Sequence, residues 1–154
     1  MTYHLDIQHA STTPCPVPDD RLCQWVELAL KPHRSSAELT LRCVDPSEIQ
    51  TLNHAYRKKN SITNVLAFPS SLPEGIVLDL PFLGDVIICV DVLNNESIEQ
   101  QKDLIDHWAH LVIHGVLHLL GYDHITETDA AIMQSIEIKT LALLGIDNPY
   151  DTEG

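Results

Sequence analysis

Basic side chains are scarce in this 154-residue sequence. Nine Lys and Arg stand against 22 Asp and Glu, a formal net charge of −13 with histidine neutral. The shortage excludes a generic basic nucleic-acid coat protein. A polyanion must be met by a local patch or by metal ions, because the overall field repels it. No two of the four cysteines, Cys15, Cys23, Cys43 and Cys89, have C-x-x-C spacing. That excludes the pattern of a zinc ribbon or dithiol redox site and leaves buried, reduced thiols as the expectation. No apolar run is long enough to span a membrane, since Ile76 to Leu93 is broken by Asp79, Pro81, Asp85 and Asp91. The opening Met1-Thr2-Tyr3-His4-Leu5-Asp6 has no basic segment followed by an apolar one, so no secretory signal is expected. Internal repeats, low-complexity tracts and a glycine-rich phosphate loop are also missing, and the last absence disfavours a nucleotide substrate.

Hydrophobic residues make up 44% and charged residues 20% of the chain, a globular balance. The length corresponds to one domain, residues 1–154, able to bury roughly two thirds of its unfolded surface without a disulfide or metal. Alternation predicts strands over Thr2–His9, Ala37–Val44 and Asn64–Phe68. The β-branched run Val86–Val90 predicts a central strand buried on both faces. An apolar stripe predicts a helix from Asp19-Asp20 that stops at Pro32. Asp45-Pro46-Ser47 predicts the start of a short helix, and further helices are expected over Asp91–Gln100, Lys102–Leu120 and Thr126–Leu144. Thr126-x-x-Asp129 resembles a capping box. Between Tyr56 and the third strand lies a basic loop, Arg57 to Ser61; a further loop is expected from Pro69 to Gly75, then a short apolar run, Ile76–Leu80. Strands come first and long helices last, which predicts an α+β fold: one mixed β-sheet packed with helices.

Histidine is as abundant as Lys and Arg together, with nine residues. On a helix at 100° per residue, His114 and His118 lie one turn apart on one face, where both imidazoles can reach a single ion. Gly121 can take a left-handed conformation at the helix end, so the chain reverses and brings His124 back as a third ligand. The metal site is thus expected on the long helix of the C-terminal half and the turn that follows it. The spacing H-x-x-x-H-x-x-G-x-x-H is that of metzincin proteases, but their general-base Glu is replaced by Gly115. Three His ligands leave a fourth position open for water or substrate, the pattern of a catalytic zinc. Imidazoles in a tetrahedral set favour zinc, one Zn2+ per chain, although nickel, copper and iron also accept them.

His107 and His110 fall about 20° and 40° from His114 on the same stripe. They fit a role beside the ligands, contact with substrate, or plain helix surface. Asp123 can orient a ligand imidazole or serve the turn. The run Arg57-Lys58-Lys59 holds three of the nine cationic side chains. Arg57 is the candidate for phosphate contact, because its guanidinium is planar, permanently charged and bidentate. Lys31 and Arg34 form a weaker second patch.

The run His114-Gly-Val-Leu-His118-Leu-Leu-Gly-Tyr-Asp-His124 resembles the signature H-G-x-L-H-L-x-G-Y-D-H of the YbeY family of bacterial endoribonucleases and ribosomal RNA maturation factors. Leu52-Asn53-x-x-Tyr56-Arg57, Thr63-Asn64-Val65-Leu66-Ala67-Phe68-Pro69 and Leu83-Gly84-Asp85-Val86 are similar to further blocks of that family, with Ala67 where Ser is usual. The resemblance runs from about residue 37 to the C-terminus. It implies a zinc-dependent, single-strand-specific endoribonuclease acting in the cytoplasm on ribosomal RNA, in small-subunit 3′-end maturation and in ribosome quality control. It carries the metal ligands over to His114, His118 and His124, and the functionally important arginine over to Arg57. The acidic surface adds the expectation that single-stranded or ribosomal RNA is presented by the ribosome or its associated proteins. Neither DNA nor a membrane is expected as a partner. The alternatives are a zinc metalloprotease-like hydrolase, a non-catalytic ribosome-assembly factor with a structural metal, and a hydrolase of small phosphoesters.

Overall fold

The computed structural model describes residues 2–70 and 82–150. Along the chain run β1 (Thr2–His9), α1 (Asp19–Leu30), β2 (Ser36–Val44), α2 (Pro46–Arg57), β3 (Val65–Pro69), β4 (Phe82–Cys89), α3 (Val90–Glu99), α4 (Leu104–Leu119) and α5 (Glu127–Leu143). The strands form one mixed sheet in the order β1-β2-β4-β3. β1 and β2 are parallel, as are β2 and β4, while β3 runs antiparallel to β4. The α+β expectation therefore holds. The part of the expected loop after Ser70 and the apolar run Ile76–Leu80 lie outside the described residues.

Local chemistry sets the element ends. α1 ends ahead of Pro32, and Pro46 opens α2 where its missing N–H costs no hydrogen bond. α4 starts two residues later than its apolar pattern predicts, because Asp103 Oδ1 accepts from Asp106 N at 3.1 Å and fixes the first turn. Thr126 caps α5 in the same way, accepting from Asp129 N at 3.0 Å.

Alternation along β4 divides the interior between two layers. Val86 and Ile88 face the main core with Leu39, Leu41 and Cys43 of β2, Trp25 of α1, and Trp108, Val112 and Val116 of α4. Ile87 and Cys89 face the other way and pack with Val44, Ile49 and Leu66 under α2. On that second face Arg42 forks onto Glu48, at 2.6 Å and 3.1 Å, tying β2 to α2. α4 is buried almost all round, and Trp108 Nε1 donates to Asn94 Oδ1 at 3.0 Å. Burial on nearly every side fixes the rotation of α4, and so fixes which residues face the one open side.

The expectation of four buried thiols needs correction. Cys43 and Cys89 are buried, whereas Cys15 and Cys23 are only half-buried. Cys15 lies on the loop after β1 and Cys23 on α1, so neither belongs to an inward-facing row of the sheet.

Candidate metal centre

His114 and His118 occupy the half-exposed strip of an otherwise buried α4. Their Nε2 atoms are 3.1 Å apart and their ring centroids 4.6 Å apart. After Leu120 the chain turns at Gly121, with φ +103°. Gly121 N donates to His118 O and Tyr122 N to Leu117 O, both at 3.1 Å, which is the Schellman pattern. The reversal puts the His124 ring 5.7 Å from His114 and 5.2 Å from His118, centroid to centroid. One ligand nitrogen from each of the three lies within 4.8 Å of the others. Two imidazole nitrogens bonded to one tetrahedral ion at about 2.0–2.1 Å sit slightly over 3 Å apart, so the pair on α4 already has the spacing of co-ligands. Burial, then the neighbouring His114 and His124, push the His118 pKa down to about 4, which keeps its imidazole neutral as ligation requires.

A carboxylate stands behind the trio. Glu137 of α5 is fully buried, and accepts from His114 Nδ1 at 2.7 Å, from His110 Nε2 at 3.2 Å and from the Tyr150 hydroxyl. Burial alone pushes its pKa up, but the hydrogen bonds from His110, His114 and Tyr150 outweigh it and hold the value at about 2. With Nδ1–H of His114 committed to Glu137, the lone pair of Nε2 faces the other two imidazoles. A carboxylate used in this way fixes a ligand's tautomer and raises its basicity. His110 therefore belongs to the support behind His114. His107 is tied elsewhere: it is buried and donates to Glu96 at 2.9 Å, while Glu96 also accepts from Asn64 at 3.3 Å. Asp123 serves the turn, accepting from Ile125 N at 3.2 Å.

The trio opens into a cleft of about 950 Å³ that Arg57, Tyr56, Asn64 and Phe68 also line. The sequence places Arg57 in the basic loop, but it is the last residue of α2; the loop begins with Lys58, which caps the helix at φ +60°. Its side chain is exposed. Next to it Tyr56 is 70% exposed and tilts against Phe68, with ring centroids 5.2 Å apart. A cation, an aromatic pair and a histidine trio thus share one opening. Lys31 and Arg34 lie at the far end of α1 and line no part of it.

Gly115, which stands where a metzincin has its base, is packed against the sheet. A Cβ there would lie 2.6 Å from Val86 Cγ1 and 3.3 Å from Val65 Cγ2. The helix needs glycine at this point to approach β3 and β4.

An α+β sheet carrying a half-exposed histidine trio that could hold a metal ion, backed by a buried carboxylate and sharing an open cleft with an arginine, is the arrangement of a hydrolase that lacks a helix-borne base. The family model described as "Endoribonuclease YbeY" matches residues 7–145, and the chain belongs to that family, whose members are nucleases that hydrolyse RNA. The "Endoribonuclease YbeY" of Legionella pneumophila (strain Corby) is 55% identical over 153 residues, covering 99% of this chain and 97% of the relative. That of Pseudomonas fluorescens is 51% identical over 146 residues, 95% of each. The solution structure of TM1509 from Thermotoga maritima shares the fold, with a TM-score of 0.61, 21% identity and coverage of 96% of this chain and 98% of that one.

Sequence reasoning missed Glu137, Tyr150 and Glu96. Glu137 did leave a signal: it sits on the stripe Met133-Glu137-Thr140-Leu141, where an acidic residue among inward-facing positions calls for a partner. Tyr150 left none, because its contact is made by a segment beyond the last helix.

Proposed function

We propose that the whole chain, residues 1–154, is a zinc-dependent, single-strand-specific endoribonuclease. Its work is ribosomal RNA maturation at the small-subunit 3′ end and ribosome quality control in the cytoplasm. His114, His118 and His124 would hold one Zn2+, and Arg57 is the catalytic side chain that meets the scissile phosphodiester. The observation that carries this reading is the shared cleft, in which Arg57 and the three histidines line one opening.

The donor set fits zinc: three imidazoles, one of them oriented by Glu137, with an open side. When bound, zinc supplies Lewis acidity toward phosphoryl oxygens and lowers the pKa of water. The chain's own groups do the rest. Arg57 binds the non-bridging oxygens through its planar fork and offsets the charge that grows on them in the transition state. Tyr56 and Phe68 offer a face on which an unpaired base can stack, and stacking of that kind requires a single strand. Because Gly115 cannot take a proton, the proton acceptor for the attacking oxygen lies outside the helix motif. Among the described residues no helix is long and apolar enough to cross a membrane. The charge of −13 supports RNA presented by the ribosome or its associated proteins over tight capture of free RNA.

The test compares wild type, His118→Ala and Arg57→Ala on a single-stranded ribosomal RNA fragment, with metal analysis of each preparation. Wild type should hold one zinc at this site and cleave, chelator should stop cleavage, His118→Ala should hold one zinc fewer than wild type and lose cleavage, and Arg57→Ala should keep the zinc of wild type but lose cleavage. Cleavage persisting in both variants refutes the reading. Chelator-sensitive hydrolysis of casein would favour the protease-like alternative instead.

A further inference from the structure

A second group of metal-type ligands lies at the far edge of the sheet. His9 ends β1, and in the parallel register it is paired with Cys43 of β2. The loop after β1 then brings Cys15 over the same point. One ligand atom each from His9, Cys15 and Cys43 lies within 4.8 Å of the other two. They border a small cavity of about 320 Å³, lined also by Ser11, Thr13 and Asp19. His9 Nε2 is 2.7 Å from Asp19 Oδ1 at the start of α1. Cys43 is fully buried, while His9 is 43% exposed in its side chain, so the group is anchored inside and reachable from outside. None of these residues lines the histidine-trio cleft.

We propose that His9, Cys15 and Cys43 form a second metal site that takes a thiophilic divalent cation, Zn2+. Two thiolates and one imidazole are a soft donor set that suits zinc and discriminates against magnesium and calcium. Two thiolates also neutralise the charge of the ion, so the site needs no further anion. Asp19 completes it from behind: a carboxylate on one ring nitrogen of His9 leaves the other as the ligand, the same arrangement that Glu137 makes with His114. The ion would clamp the loop between β1 and α1 onto the sheet edge.

The test is a Co2+ titration of the full-length, fully reduced chain, followed by absorbance. Thiolate ligands give a near-ultraviolet charge-transfer band that an all-imidazole site cannot give. The band should appear in wild type and in His118→Ala, and should be absent in Cys15→Ser, whose position is only half-buried and whose fold is checked by circular dichroism. Asp19→Asn should keep the band but weaken Co2+ binding roughly 10- to 100-fold. Zinc analysis should give one ion more for wild type than for Cys15→Ser. The proposal fails if folded, reduced wild type shows no such band, or if the band survives Cys15→Ser. It also fails if Cys15 and Cys43 are recovered as a disulfide from protein purified in metal-containing medium without added oxidant.

Discussion

Replacing Glu137 by Gln keeps the shape of the side chain and removes its charge. The carboxylate is fully buried and accepts from His110, His114 and Tyr150. Gln offers one acceptor oxygen in place of two and turns an NH2 into the cluster, so the three bonds that His110, His114 and Tyr150 donate to the carboxylate cannot all be kept. A carboxyl held at about 2 against an ordinary 4.5 stabilises the folded chain by roughly 3 kcal/mol at neutral pH. Losing that should lower the melting temperature of the metal-free protein by roughly 6–12 °C at this chain length. The sign with pH follows from the depressed value: the contribution is complete above about 4.5 and vanishes as pH falls toward 2. The stability gap between wild type and Glu137→Gln should therefore close over that window. His118 acts at higher pH. Its value of about 4 lies below the ordinary 6.5, so the unfolded chain takes up its proton first and stability falls between those limits in both proteins. Urea unfolding of metal-free wild type and Glu137→Gln from pH 7 to pH 2.5, with zinc affinity measured at pH 7, tests this. Zinc affinity should drop roughly 10- to 100-fold, because His114 loses the partner that sets its tautomer. Equal stability at pH 7 with unchanged zinc affinity would refute the reasoning.

Three further substitutions have defined outcomes. Gly115→Glu restores the metzincin pattern but forces a Cβ to within 2.6 Å of Val86. Thermal unfolding should show a loss of about 1–3 kcal/mol, and no casein hydrolysis should appear. Gly121→Ala meets no neighbouring atom within 4 Å yet must hold φ +103°; it should cost about 1–2 kcal/mol and weaken zinc binding through His124, read by calorimetry. Tyr56→Ala leaves the trio intact and removes the exposed half of the aromatic pair. Its KM for single-stranded RNA should rise by the equivalent of about 1–3 kcal/mol with the zinc content unchanged, and an unchanged KM would remove Tyr56 from the substrate path.

The histidine trio was legible in the sequence because its geometry is local. One helical turn and one left-handed glycine decide where His114, His118 and His124 go, and both are properties of an 11-residue segment. The strand and helix sequence was legible for the same reason, with boundaries shifted by a residue or two where Asp103 or Pro32 acts on the backbone; the expected strand Val86–Val90 is the exception, since β4 already begins at Phe82 and Val90 opens α3. The mixed sheet followed from the order of the elements, but the strand order β1-β2-β4-β3 did not, since pairing between β2 and β4 skips a strand and is set by long-range packing.

Sequence alone thus determined the family, the trio and the absence of a helix-borne base. Tertiary structure decided what surrounds them. That Gly115 is required by contact with Val86, that Arg57 opens onto the same cleft as the trio, and that Glu137 and Tyr150 stand behind His114 all depend on how α2, α4, α5 and the segment after α5 pack. The meeting of His9, Cys15 and Cys43 likewise depends on the parallel register of β1 with β2. Side chains one turn apart are fixed by helical geometry, whereas partners brought together from separate elements are fixed only when the core closes.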